Sequence, residues 1–465
     1  MARLNAQDAS FLILESPDSP MHIAFLLTLR LPPGASPAYL QDLYAKLLRY
    51  PVDAEPFNLL LVQREGIGRL APQWKLADTV DLDYHLRHIA LPWPGGEREL
   101  GLAISRMHSR PLLRTRPLWE CTLIEGLRPG RFALYLKIHH ALADGVGLMQ
   151  QITQSLSASP RGRSLPPWST RATARVPASR PTVSADEEWR NFFQGLREEL
   201  GKERGKRKSV SNIPRGPRCI INGDSTGRRR FATQRLPLDR VKAIARAADA
   251  TVNDVVMAVC SGALRDYLAA FDRIPADPLI ASIPVALPRP EGQSTGNSVA
   301  AVHAPIATDL ADPKARLLAI RDATREAKAD FNRIPASLNR AISSVGMYAM
   351  SLMPKPSGGD PDKASFSNLT ISNVPGPRQK LYFRGAEVDG MFPVSVLAGD
   401  QRLNITVLGY DEHLHFGLIA CPDTLPSMQR VAVALPVALQ DLELAMGLAP
   451  AKRAAARARS ALRRR

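Results

Sequence analysis

The chain has 465 residues, 45% of them apolar, and a net charge of +17 from 61 Lys/Arg against 44 Asp/Glu. That length suits two domains, and that apolar content suits a large buried core. The four cysteines, Cys121, Cys219, Cys260 and Cys421, stand far apart with no CxxC pair. This argues against a disulfide framework or a cysteine zinc site and fits a reducing compartment.

The N-terminus, MARLNAQDASFLILESPDSP, places Asp8, Glu15 and Asp18 around a short apolar run, the wrong charge pattern for a signal peptide. No stretch of about 18 apolar residues follows, so no membrane-spanning helix is expected and the chain reads as soluble or peripheral to a membrane. MHIAFLLTLRL (21–31) predicts a strand, and SPAYLQDLYAKLLRY (36–50) a helix with apolar residues at helical spacing behind a Ser-Pro start. ERELGLAISRMHSRPL (97–112) predicts another amphipathic helix. LWECTLIEGL (118–127) and RFALYLKIHH (131–140) predict strands joined by the turn RPG.

Residues 161–230 change character. RSLPPWSTRATARVPASRPTVSA and the charge run GKERGKRKSV read as a long linker with one helix at 185–203. This segment holds 17 Lys/Arg against 7 Asp/Glu, residues 451–465 hold 7 Lys/Arg and no acid, and together they account for the whole +17. The chain therefore reads as a neutral body with two basic appendages. These suit either a solvated linker and tail or an anionic bilayer, which attracts each nearby Lys or Arg by about 1 kcal/mol. Aromatic residues do not interleave with the charges, so nucleic acid is not an expected partner.

A second mixed segment covers 231–447. TVNDVVMAVCSGALRDYLAAF (251–271) predicts a helix with Asn253 or Asp254 as its cap. LIASIPVAL (279–287), NSVAAVHAPIA and FSNLTISNV predict strands, LNITVLGYDEHLHFGLIAC (403–421) a hairpin, and SMQRVAVALPVALQDLELAMG a closing helix. The division is residues 1–160, a linker over 161–230, residues 231–447, and a basic tail over 448–465.

KIHHALADGVG (137–147) concentrates the chemistry. Phe132, Leu134, Leu136 and Ile138 alternate on one strand face, so the strand delivers His139 and His140 to its end, with Asp144 in the turn that follows. Adjacent strand residues face opposite ways, so one histidine can meet a substrate while the other packs or hydrogen-bonds. Histidine titrates nearest neutral pH and can take and return a proton. Asp144 could orient an imidazole, as in a catalytic triad, or pair with an arginine and stiffen the loop. Gly145 and Gly147 would allow a tight turn and admit a substrate. Two other readings stay open on this pattern. One is a structural histidine pair. The other is a metal site, which wants a third ligand; His413 and His415 are available, but nothing in the sequence ties them to this loop.

HHALADG resembles the HHxxxDG signature of the CoA-dependent acyltransferase superfamily, which includes chloramphenicol acetyltransferases and peptide-synthetase condensation domains. DASFLILESPDSPMHI (8–23), HSRPLLRTRPLWE (108–120), TVNDVVMAVCSGALRDYL (251–268), GNSVAAVHAPIATDLADP (296–313), ISNVPGP (371–377) and LNITVLGYDEHLHFGLIACPD (403–423) resemble blocks of the bacterial wax ester synthase/diacylglycerol acyltransferase family. They run in that family's order from about residue 4 to 445, and Leu113 departs from a usually acidic position.

The resemblance implies an α/β (α+β) fold of two chloramphenicol-acetyltransferase-like domains with mixed sheets and an active-site tunnel at their interface. It implies an O-acyltransferase moving a long-chain acyl group from acyl-CoA to diacylglycerol, giving triacylglycerol, or to a fatty alcohol, giving a wax ester. The alternatives are another hydroxyl acceptor or a non-catalytic lipid-droplet-binding protein. Acyl-CoA is a co-substrate, and neither a cofactor nor a metal is implied. His140 is implied as the general base, without an acyl-enzyme. His139 is a supporting residue facing away, and Asp144 is structural, with Arg289 its candidate partner. Asn253 and Asp254 either shape the site or cap their helix. Ser372 and Asn373 lie at a strand end before a Pro-Gly turn, where donors can meet an oxyanion. Gly296 and Asn297 are expected at the entrance near CoA, and Trp119 in the core. A lipid substrate would place the protein in the cytoplasm at a membrane or lipid-inclusion surface, held there by the basic segments.

Overall fold

The structure, a computed structural model, describes residues 2–62, 72–170, 215–287, 297, 299–333 and 365–448. The expected helix at 185–203, Arg289, Gly296 and the tail beyond residue 448 lie outside them.

In the first half, β1 (Ala2–Arg3) leads into α1 (Ala6–Leu14), which starts where the Asn5 side chain accepts the Asp8 N–H at 2.7 Å. The run MHIAFLLTLRL forms β2 (His22–Arg30), buried at eight of its nine residues, as a strand covered on both faces should be. There follow α2 (Tyr39–Leu47), β3 (Leu59–Val62), β4 (Gln73–Leu76), α3 (Leu82–His85), β5 (Leu86–Ala90) and α4 (Glu97–His108). The hairpin β6 (Trp119–Leu127) and β7 (Arg131–His139) comes next, and α5 (Gly145–Ser155) closes the half. The second half contains β8 (Arg230–Pro237), α6 (Leu238–Ala247), α7 (Val252–Phe271), β9 (Ile280–Ala286), β10 (Val299–Pro305) and α8 (Pro313–Arg333). It continues with β11 (Leu369–Val374), β12 (Tyr382–Phe383), β13 (Ala386–Val394), β14 (Leu403–Tyr410), β15 (His413–Ala420) and α9 (Gln429–Ala445).

Two six-stranded mixed sheets result, in the orders β12-β13-β2-β7-β6-β5 and β10-β9-β11-β14-β15-β8. Parallel pairs occur at β5–β6, β9–β11 and β11–β14. β1, β4 and β3 make a third, small sheet. The first large sheet is not made of residues 1–160 alone. Strands β12 and β13, from the segment expected to fold as the second unit, complete it, with Val394 opposite Ala24 and Glu387 opposite Arg30. The register slips between Val388 and Gly390, leaving Asp389 at the irregularity. Its carboxylate gathers Arg30 at 2.8 Å, Arg235 of β8 at 3.0 Å and Arg131 at 3.5 Å. Burial would raise the Asp389 carboxyl, but Arg30 and Arg235 outweigh it and hold it below the usual range.

Helices α7 and α9 cover one face of the second sheet, and α1, α2 and α5 cover one face of the first. Between the halves lies an apolar seam of Leu26, Tyr135, Phe231, Phe392, Ile419 and Cys421. Among the described residues no single helix is long and apolar enough to cross a membrane.

The seam closes tightly at one point. A Cβ on Gly417 of β15 would sit 1.7 Å from the Pro393 carbonyl oxygen of β13. Gly417→Ala is therefore expected to cost about 1–3 kcal/mol of stability, read as a lower urea midpoint. Gly409→Ala is the control, since its added methyl comes no nearer than 4.0 Å to a neighbouring side chain and should leave the midpoint in place.

Candidate active site

Strand β7 ends at His139 and His140 opens the turn that follows, and the two rings meet different partners. His139 is fully buried opposite His22 of β2. Its Nδ1 accepts the Ala141 N–H at 3.1 Å, which leaves the proton on Nε2, 3.3 Å from Glu15 Oε1. Glu15, just after α1, also accepts the Met21 N–H at 3.2 Å and the Arg114 guanidinium at 2.9 Å. Burial would raise the Glu15 carboxyl, but His139, Arg114 and Met21 overcome it and hold the group down to about 2. Arg114 is fixed in turn by donating to the Leu12 carbonyl at 2.6 Å.

A row of buried polar groups continues on this face. Lys137 Nζ lies 3.3 Å from Glu120 and donates to the Arg110 and Met107 carbonyls at 3.0 and 3.2 Å. His22 Nε2 donates to the His108 carbonyl at 2.7 Å. His108 Nε2 donates to the Ser395 carbonyl at 3.1 Å, so its Nδ1 accepts the Tyr135 hydroxyl at 2.7 Å. Burial, reinforced by Lys137, pushes His108 down to about 3; burial, with His108 and Lys137, pushes His22 well below its ordinary value. Both are neutral imidazoles at neutral pH.

His140 lies past the strand end, and its ring stacks on Phe11 of α1 with centroids 4.0 Å apart and planes 10° from parallel. Its N–H donates to the Met21 carbonyl at 2.8 Å. Burial pushes its pKa down to about 4, against the opposing pull of Asp144, its own carbonyl and Asn297. Asp144 caps α5, with Oδ1 accepting the Gly147 N–H at 2.6 Å. The expected tight turn at Gly145 is instead the first helical residue. Its backbone is not left-handed, and an added Cβ would meet nothing.

The other half of the chain reaches this loop through Asn297. Its N–H and Nδ2 donate to Asp8 Oδ1 at 2.9 and 2.6 Å, and Nδ2 also donates to the His140 carbonyl at 2.7 Å. Gln7 Nε2 donates to the Val299 carbonyl at 2.7 Å beside it. At 4% exposure, Asn297 is an interior residue and does not line an open entrance as expected.

Other expected residues stand apart from these contacts. The cap of α7 is Thr251, not Asn253 or Asp254. Asp254 completes the capping box through the Thr251 N–H and hydroxyl at 2.8 and 2.7 Å, and its other oxygen accepts the Thr324 hydroxyl at 2.7 Å. Asn253 sits half-buried in that first turn. Ser372 and Asn373 are half-buried on β11, opposite Thr406 and Val407. No hydrogen bond between them and His140 occurs among the described residues. His415 packs on Phe392 and Tyr410, away from the motif loop. Among the described residues no group of three His, Cys, Asp or Glu could hold a metal ion. Trp119 is core, stacked on His85 and Trp168 at 4.5 and 5.3 Å, and Leu113 is exposed. Asp8, Phe11, Glu15 and Arg114 were not anticipated. The signals were Asn5 before an apolar run, which announces helix α1, and the family-like blocks at 8–23 and 108–120 that contain these four residues, but neither tells what the side chains meet.

Residues 4–256 match the family model described as the wax ester synthase/diacylglycerol acyltransferase catalytic domain, and residues 295–443 match the WS/DGAT C-terminal domain. A putative diacylglycerol O-acyltransferase of Mycobacterium tuberculosis is 36% identical over 491 residues, spanning 96% of this chain and 98% of that one. The O-acyltransferase WSD of Acinetobacter baylyi is 37% identical over 458 residues, spanning 95% and 97%. The solved wax ester synthase/diacylglycerol acyltransferase of Marinobacter aquaeolei superposes with a TM-score of 0.75 at 35% identity, over 96% of this chain and 100% of that one. A trichothecene 15-O-acetyltransferase of Fusarium sporotrichioides, at 12% identity and a TM-score of 0.63, shares the fold. The chain belongs to the wax ester synthase/diacylglycerol acyltransferase family.

Proposed function

We infer that this protein is an acyl-CoA-dependent O-acyltransferase that esterifies diacylglycerol, a fatty alcohol, or both, with His140 as the general base. The observation that carries this is the state of His140: a neutral imidazole at a strand end, its ring against Phe11 and its main chain tied on both sides. Its Nδ1 is buried, so Nε2 is the nitrogen left to meet a substrate.

The chemistry then follows. Nε2 takes the proton of the acceptor hydroxyl as that oxygen attacks the thioester carbonyl carbon. The carbonyl oxygen carries the negative charge of the tetrahedral intermediate, and Ser372 and Asn373 are the candidate donors toward it. The C–S bond breaks, and the imidazolium returns its proton to sulfur, releasing CoA as the thiol. The ester forms directly, so no protein nucleophile is needed, and acyl-CoA is consumed as a co-substrate. His139 is the supporting residue. It is fully buried, with Nε2 3.3 Å from Glu15. Asp144 acts as the cap that starts α5 immediately after the motif.

With palmitoyl-CoA and either diacylglycerol or hexadecanol offered separately, His140→Ala should lower kcat by about 10²–10⁴. Product from wild type and its loss in the variant establish the base and name the acceptor. No product with either acceptor moves the reading to a different hydroxyl.

The acid limb of kcat/KM should also be displaced. Protonation removes the base, and the group titrates at about 4, below its ordinary 6.5. Activity should therefore persist below pH 6 and fall only as pH approaches about 4. His22 and His108 make the fold itself acid-sensitive, because the unfolded chain gains protons below its ordinary histidine pKa that the native state refuses. Circular dichroism at each pH separates unfolding from loss of the base. A limb at 6.5 with the protein still folded would remove the buried neutral base.

The protein is further proposed to work at a cytoplasmic membrane or lipid-inclusion surface, drawn by segments 161–230 and 451–465. Their charge supports this. Deleting 451–465 should weaken flotation with vesicles containing phosphatidylserine and flatten its salt dependence. Unchanged flotation across salt concentrations would take the tail out of the account.

A further inference from the structure

Asn297 and α1 belong to opposite halves of the chain, 289 residues apart between Asn297 and Asp8, yet they meet over the motif loop. The side-chain amide has two protons, and each has its own acceptor, Asp8 Oδ1 at 2.6 Å and the His140 carbonyl at 2.7 Å. Because both partners are acceptors, the amide orientation is fixed. Asp8 in turn is held on Asn297 by a second bond, from the main-chain N–H at 2.9 Å. Asp8 and Phe11 are three residues apart on α1 and so share one helix face. That face presents the anchor of the amide and the ring that stacks on His140 together.

We propose that Asn297 is a positioning residue for His140, setting the motif loop through the His140 carbonyl while Asp8 fixes the amide from the other side. This rests on His140 being the base. His140 is held at three points. Its N–H goes to the Met21 carbonyl, its ring to Phe11, and its carbonyl to Asn297. The first two are supplied by the first half of the chain. The third comes from the second half, so the base acquires its final setting only when the halves are docked. Loss of the third leaves the peptide after His140 held only through the Ala141 N–H on His139 Nδ1, at 3.1 Å, with its carbonyl released. A shift of the base by about 1 Å costs about 10² in rate.

The test separates positioning from simple attachment of one half to the other. Asn297→Ala should lower kcat by about 10² while leaving KM for palmitoyl-CoA unchanged. The exchanged pair Asp8→Asn with Asn297→Asp is the second variant. Residue 8 can then donate to residue 297, so the tie between halves is rebuilt, but a carboxylate at 297 cannot donate to the His140 carbonyl. Positioning predicts that the exchanged pair recovers the thermal midpoint and not kcat. Recovery of kcat with the midpoint, or a normal kcat in Asn297→Ala, overturns the proposal. His140→Ala is assayed alongside: if it stays active, the base assignment fails on its own account, whereas a dead His140→Ala beside a normal Asn297→Ala removes only Asn297.

Discussion

His139 is the last residue of a β-strand and His140 the first of the turn beyond it, and the different surroundings this gives the two rings organise the site. His139 is turned into the protein and has to be given partners there. It receives the Ala141 N–H on one nitrogen and Glu15 near the other. His140 is turned the other way and is kept from hydrogen-bonding inward by Phe11, which offers its ring only a flat apolar face. Helix α1 serves both, with Phe11 on one histidine and Glu15 following the helix to meet the other. The helix is short, and Asn5 starts it by satisfying an otherwise orphaned N–H.

Burying so many polar groups is costly unless each is compensated. The row behind His139 meets that condition in two ways, with His22 Nδ1 the exception that has no hydrogen-bond partner among the described residues. Lys137 keeps Glu120 and two carbonyls, and Glu15 keeps Arg114, so those charges have partners. The histidines instead give up their charge: His22 and His108 are uncharged and hand single protons to carbonyl oxygens. One of those carbonyls belongs to Ser395, just past β13, so the polar row also ties the crossing strand to α4. Asp389 does the same at the far end of β7 with three arginines, one of them from β8. The halves are therefore joined by paired charge at one end, by apolar packing along the seam, and by Asn297 at the motif.

Strong periodic segments were legible in the sequence because their pattern is local. The strand around 131–140 and the helix over 251–271 appear within two residues of expectation. The role of β13 was not legible. A nine-residue strand advertises its buried face but not which sheet will bury it, and this one, with the short β12 beside it, joins a sheet built otherwise from residues before 140. The same limit applied to the site. The HHxxxDG spacing singled out His139, His140 and Asp144 as candidates because all three sit in one strand-turn-helix unit. Asp8 and Asn297 touch that unit only through the tertiary fold. Asp254 shows the opposite case: an acid near a helix start reads as part of the cap, and Thr251 and Thr324 use both its oxygens.

With His140 as the proposed base, the low pKa that burial gives it has two chemical consequences. A base that titrates at about 4 is always free to accept a proton at neutral pH, but it is a weak base toward an alcohol. It cannot generate a free alkoxide, so proton removal has to accompany attack on the thioester. The imidazolium so formed is a strong acid held in an apolar surrounding, which favours passing the proton on at once. The thiolate leaving group is the natural recipient, more basic than the imidazole it takes the proton from. A buried base of this kind works only if hydroxyl, carbonyl carbon and sulfur are all within its reach during one encounter. That places the demand on position rather than on basicity, and the ring, the N–H and the carbonyl of His140 are each held by a different part of the chain, as such a base would require.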